Sequence, residues 1–127
     1  MLSYRRLLRS FRYARRGLWQ VAKEEQNFAI ELAVGLWAII LAVGLRFNLV
    51  EWMILLLTIG FVLMAELLNS AVERVSDLLK PRLDIYVKEI KDIMAATVFL
   101  AAGLSVVVGL LLFLPHLIGL LINIFNK

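Results

Sequence analysis

Three long apolar runs dominate the chain, and a shorter periodic segment precedes them. Phe28 to Phe47 is broken only by Glu31 and Arg46, Trp52 to Ala65 is apolar apart from Thr58, and Ile93 to Phe125 carries no charged residue. A helix needs about 20 predominantly apolar residues to cross a bilayer. Each run therefore predicts a transmembrane helix, over 28–47, 52–77 and 92–114. Pro115, within "FLPH", is expected to end or kink the third span, because proline lacks an N–H and clashes with the preceding turn. The stretch 117–125 then reads as an interfacial tail or as a continuation. In residues 1–24, Leu7, Phe11, Ala14, Leu18 and Val21 recur every three or four positions, the stripe of an amphipathic helix. Arg5, Arg9, Arg12 and Arg16 line another face of it. The expected fold class is all-α: a membrane protein with an N-terminal amphipathic surface helix (1–24) and three transmembrane helices, assembling as a helical bundle. One domain, 1–127, is the natural count.

Composition strengthens the membrane reading. The 127 residues are 62% hydrophobic, where soluble domains are roughly 45–50% apolar. No small-residue cleavage site follows a short apolar core, so the first run reads as a span and not as a signal peptide. There is no cysteine, which removes disulfides and thiolate metal sites.

Charge adds an orientation. Six of the fourteen basic residues are arginines within the first sixteen positions. Residues 1–23 hold seven Lys and Arg; Arg74, Lys80, Arg82, Lys88 and Lys91 flank the connection between spans two and three; only Arg46 lies between spans one and two. Positive charge marks the cytoplasmic side. The N-terminus and the second connection are therefore expected in the cytoplasm, with the protein in the cytoplasmic (inner) membrane. A basic end on a greasy body suits anionic lipid more than nucleic acid, and no nucleic-acid partner is expected.

The second span continues into "FVLMAELLNSAVERVSDLLK" (61–80), which places three acids and an amide in its inner half. At about 100° per residue, Glu66, Asn69, Glu73 and Asp77 share a sector of roughly 80°. A charge at the bilayer centre costs about 2.5–3.5 kcal/mol even on lenient insertion scales. This ladder must face another helix or a wet cleft. Glu24, Glu25 and Glu31 lie at the mouth of the first span, and Lys91 and Asp92 open the third. Carboxylates without cysteine or histidine ligands suit a hard cation such as Mg2+, commonly held by one or two carboxylates plus substrate phosphates. Lysine and arginine nearby could neutralise a transferring phosphoryl group. Glu66, the deepest acid of the ladder, is the candidate to take a proton from an alcohol. The same carboxylates would equally serve a proton or cation pathway, or pair structurally with basic neighbours. No Walker-type loop, G-x-G-x-x-G or H-E-x-x-H occurs. His116, the only histidine, is expected at the far interface.

"AELLNSAVERVSD" (65–77), read with "KD" at 91–92, resembles the signature of the prokaryotic diacylglycerol kinases, small integral membrane lipid kinases. "SFRYARRGL" (10–18) and "EEQNF" (24–28) match the family's amphipathic start and the mouth of its first span, so the resemblance covers nearly the whole chain. It implies a homotrimer with active sites between protomers, and transfer of the ATP γ-phosphoryl group to a lipid hydroxyl. Glu66 resembles the family's general base and Asn69 the amide beside it. Glu25 and Glu73 resemble the carboxylates that hold Mg2+ with the ATP phosphates. Lys91 and Asp92 resemble the pair at the start of the third span, with lysine against phosphate. Arg6 and Tyr13 fall where the surface helix meets nucleotide, and Asp77 where its sugar is approached. Glu31 matches a polar position on the way in for lipid. The sequence departs from the family pattern at Ile90, at Met94 and in the loop "KPRLDIY" (80–86). "SFRYARRGL", "NF-x-I" and "LLKP" lie nearer the Gram-positive undecaprenol kinases, so the lipid implied is undecaprenol, with diacylglycerol next.

Overall fold

A computed structural model describes residues 4–79 and 84–126. Lys80 and Arg82, counted above for orientation, lie outside the described residues, as does the part of the "KPRLDIY" loop at 80–83. Four helices follow one another: α1 (Tyr4–Glu24), α2 (Gln26–Gly44), α3 (Leu49–Leu79) and α4 (Asp84–Phe125). The last three are long and apolar enough to cross a membrane. The chain is an all-α membrane bundle in which α3 is central, packing on α2 along one side and on α4 along the other.

The helix bounds differ from the apolar runs for identifiable reasons. α2 closes at Gly44, short of Phe47, because the chain turns left-handed there: Arg46 has φ 56°. Arg46 N–H bonds the Val43 carbonyl at 3.2 Å, and Phe47 N–H bonds the Ala42 carbonyl at 3.2 Å. This is the paired bonding that closes a helix in a Schellman motif, whose left-handed position favours glycine. A left-handed non-glycine residue costs about 1–2 kcal/mol. Arg46→Gly is therefore expected to raise the melting temperature, and Arg46→Val to lower it, in thermal melts of detergent-solubilised protein.

α3 begins immediately after. Asn48 Oδ1 accepts from Glu51 N–H at 3.0 Å, and Glu51 Oε2 accepts from Asn48 N–H at 2.8 Å, a reciprocal cap that starts the helix. The other Glu51 oxygen meets His116 Nε2 at 2.9 Å. His116 in turn stacks on Phe47, with ring centroids 4.9 Å apart. One carboxylate thus starts α3 and fastens α4 to it. Pro115 does not end α4, which continues through it to Phe125. Proline removes one hydrogen bond, to the carbonyl four residues back, and crowds that turn, yet the helix runs on past 114.

Two packed clusters hold the bundle. Ala42, Phe47, Leu55 and Leu112 form one at the Glu51 end, and Val62, Ala65 and Ala101 form another beside Glu66. α2 and α3 approach closely at Gly35, where an added Cβ would lie 3.0 Å from Ile59 Cγ2. A leucine at 35 overfills that crossing, and overpacking typically costs about 1–3 kcal/mol. Gly35→Leu is expected to lower the melting temperature by several degrees, with Gly35→Ala between it and the native chain. The outward faces are bare and apolar: Trp37, Leu57 and Phe99 are among many exposed side chains. In a membrane chain such faces meet lipid or a neighbouring protein.

Candidate active site

The inner half of α3 carries the ladder, and the single chain already shelters most of it. Glu66 is only 4% exposed. Its Oε1 is buried without a hydrogen-bond partner, and so is Glu31 Oε2 on α2. Both side chains line a cavity of about 420 Å3, together with Asn27, Asn69 and Glu73 and the α4 residues Ala95, Val98, Phe99 and Ala102. Ala95 and Ala102 are the small residues of the α4 wall opposite the acids. Asn69 Nδ2 donates to Glu73 Oε1 at 3.3 Å, which fixes the two rungs relative to one another.

Glu25 comes from a different place. It is the extended residue (φ −105°, ψ 109°) that separates α1 from α2, and its carboxylate makes no bond to its own helix. It turns to α3 instead, where Ser70 Oγ donates to Glu25 Oε1 at 3.2 Å. One turn nearer water than Glu73, Lys91 Nζ meets Asp77 Oδ1 at 2.6 Å. Lysine and aspartate from the two families of candidates are thus joined across α3 and α4. Arg6 and Tyr13 are exposed on α1, and Asp92 is exposed on α4. Among the described residues no hydrogen bond or ion pair ties these three side chains to the cluster.

Three residues of the neighbourhood carried no assigned role in the sequence: Ser70, Arg74 and Glu24. Ser70 is 2% exposed. Its oxygen accepts from Arg74 Nε at 3.4 Å, and Arg74 also reaches Glu24 Oε2 at 2.7 Å. The guanidinium, through its hydrogen bond first, holds the Glu24 carboxyl below its ordinary range. The available signal was the serine–arginine spacing of four beside the ladder, facing an acid doublet; helical residues four apart share a face.

Two apolar grooves flank the seam between α2 and α3. One of about 580 Å3 starts at Glu31 and runs between α2, α3 and α4 toward Leu117. The other, about 860 Å3, lies under α1, with Arg12, Arg15 and Arg16 above Phe28, Leu32, Leu63 and Leu67. Glu31 lines both the acidic cavity and the first of these grooves, so the acids adjoin a surface suited to hydrocarbon.

Comparison with known proteins decides what this arrangement belongs to. The sequence profile of the prokaryotic diacylglycerol kinases matches residues 12–113. The chain belongs to the prokaryotic diacylglycerol kinase family. Within the family, it is 38% identical over 112 residues to the undecaprenol kinase of Bacillus subtilis, covering 88% of this chain and 91% of that protein. It is also 38% identical over 117 residues to a diacylglycerol kinase of Synechocystis, covering 91% of this chain and 67% of that one. The chain is thus a lipid kinase of the prokaryotic diacylglycerol kinase family. Glu25, Glu31, Glu66, Asn69, Glu73, Asp77, Lys91 and Asp92 lie inside the matched region, as does Tyr13; Arg6 precedes it.

The donor set suits a hard cation. Glu25 and Glu73 offer carboxylate oxygens; their hydrogen-bond donors are neutral, Ser70 and Asn69, and Arg74 stands 3.8 Å from Glu25 Oε1. Among the described residues no three acids or histidines converge as a cage. Two carboxylates plus phosphate oxygens is the arrangement Mg2+ commonly accepts.

Proposed function

We propose that the protein transfers the γ-phosphoryl group of ATP, with Mg2+, to the hydroxyl of a membrane lipid alcohol at the cytoplasmic membrane surface, with undecaprenol preferred to diacylglycerol. The observation that carries this reading is the buried Glu66 carboxylate, one oxygen of which has no hydrogen-bond partner, in the lining of a cavity joined at Glu31 to an apolar groove. Holding an unpaired carboxylate in hydrocarbon is costly. Accepting a proton from an alcohol gives it a use. Glu66 takes the hydroxyl proton as the lipid oxygen bonds to the γ-phosphorus. The bond from that phosphorus to the β–γ bridging oxygen breaks, and ADP leaves with the oxygen.

Glu25 and Glu73 would hold Mg2+, which offsets charge on the phosphate oxygens. Asn69 keeps Glu73 oriented, and Lys91 stands over the phosphates. Arg6, Tyr13, Asp77 and Asp92 serve the nucleotide at the water side, and Glu31 marks where the lipid body enters the groove. Copies assemble as a homotrimer whose sites are completed between protomers; the bare apolar faces support self-association. The clustering of positive charge in 1–23 supports a cytoplasmic N-terminus, facing ATP. The preference for undecaprenol rests on the sequence features "SFRYARRGL", "NF-x-I" and "LLKP".

The test is direct. Purified protein is incubated with γ-labelled ATP and Mg2+, separately with undecaprenol and with diacylglycerol. More labelled undecaprenyl phosphate than phosphatidic acid is the expected result. Label in neither lipid, with proton or cation flux into sealed vesicles instead, would replace a kinase with a carboxylate relay.

A further inference from the structure

Two consecutive carboxylates meet one guanidinium at the joint between α1 and α2, and they are treated differently. Arg74 is 2.7 Å from Glu24 Oε2 but 3.8 Å from Glu25 Oε1. Its second arm, Nε, is spent on the buried Ser70 hydroxyl at 3.4 Å. Both acid contacts are made by the same nitrogen, Nη2, and the guanidinium is a rigid plane, so seating Nη2 on Glu24 and Nε on Ser70 limits its approach to Glu25. Glu25 therefore keeps a neutral hydroxyl as its close partner and a cation only at a distance. A carboxylate neutralised by a close arginine is a poor ligand for a divalent cation, because both positive groups claim the same oxygens. Glu24 is half exposed and supplies the alternative partner.

We propose that Glu24 is a positioning residue that draws Arg74 off Glu25, leaving the Glu25 carboxylate free to bind the divalent cation. The inference rests on the assignment of Glu25 as a cation ligand. Without Glu24, the nearest acid for Arg74 is Glu25, and the guanidinium closes on it. Glu24 then affects cation affinity without touching the cation, while Ser70 continues to aim the Glu25 side chain.

A double-substitution cycle on the full-length protein tests this. Mn2+ is titrated in the presence of a non-hydrolysable ATP analogue, and free Mn2+ is read from its paramagnetic resonance signal. Glu24→Gln is expected to weaken Mn2+ binding about tenfold, the lower end of what outer partners of metal ligands contribute. Adding Arg74→Gln to it is expected to recover most of that loss, while Arg74→Gln alone changes the affinity far less. In turnover assays Glu24→Gln is expected to raise the Mg2+ concentration for half-maximal rate more than it lowers kcat. Additive effects in the cycle would mean long-range charge alone and overturn the proposal, as would native affinity in Glu24→Gln. A lowered melting temperature with unchanged Mn2+ affinity would make the Glu24–Arg74 pair a strut only and also overturn it. Glu25→Gln separates the two readings: if it binds Mn2+ as the native protein does, Glu25 is no ligand and the assignment beneath the proposal fails.

Discussion

Replacing Glu66 with glutamine is expected to lower lipid phosphorylation by about 10²- to 10⁴-fold, the range a positioned proton acceptor contributes. The same substitution is expected to raise the melting temperature. Glu66 is nearly buried and one of its oxygens has no partner. A neutral amide of the same shape removes the cost of holding a charge there. Loss of activity with gain of stability is the signature of a residue kept for chemistry at the expense of the fold. Labelled-phosphate transfer and a thermal melt on the same preparation read both. Turnover close to native in Glu66→Gln would take that carboxylate out of the reaction, whatever the melt shows.

Glu73→Gln is expected to act on the nucleotide side. Outer partners of metal ligands are typically worth about 10–100-fold, so if Glu73 holds the cation as proposed its removal should reach the top of that range, about 10²-fold in kcat/KM for Mg-ATP. Asn69 also bonds Glu73 at 3.3 Å. Asn69→Ala, which leaves the carboxylate but frees it to rotate, should cause a smaller loss in the same parameter. Steady-state kinetics at varied Mg-ATP and fixed lipid distinguishes these from Glu66→Gln. An unchanged KM and kcat in Glu73→Gln would remove it from the nucleotide site.

Much of this arrangement is written in local pattern, and some of it is not. The spans follow from long apolar runs, and the ladder from spacing on α3, because both depend on one helix at a time. Glu66, Asn69 and Glu73 share a cavity since residues three or seven apart share a helix face. The ends of the helices depend on backbone choices that hydropathy does not express. α2 stops where Arg46 turns left-handed, and α4 passes through Pro115. The Ser70–Arg74–Glu24–Glu25 network depends on two helices meeting at matched depth. It also needs Glu25 to leave the helical conformation and bring α1 back over α3. Periodicity along one segment contains none of that information. Arg74 entered the sequence reading only as a charge for orientation, although its closest partner is 50 positions away.

The unbroken length of α3 has a consequence for motion. One helix of 31 residues carries Glu51 near its start, Glu66 past its middle and Asp77 near its end. At about 1.5 Å per residue, Glu66 and Glu73 are held roughly 10 Å apart along the axis. A rod of this kind works as a fixed gauge. The greasy substrate and the water-soluble one cannot be brought together by shortening it. Any closure over the reactants falls to parts outside this rod: α1, joined to α2 through the extended residue at 25, and the α4 wall, which His116 and Glu51 pin to the start of α3.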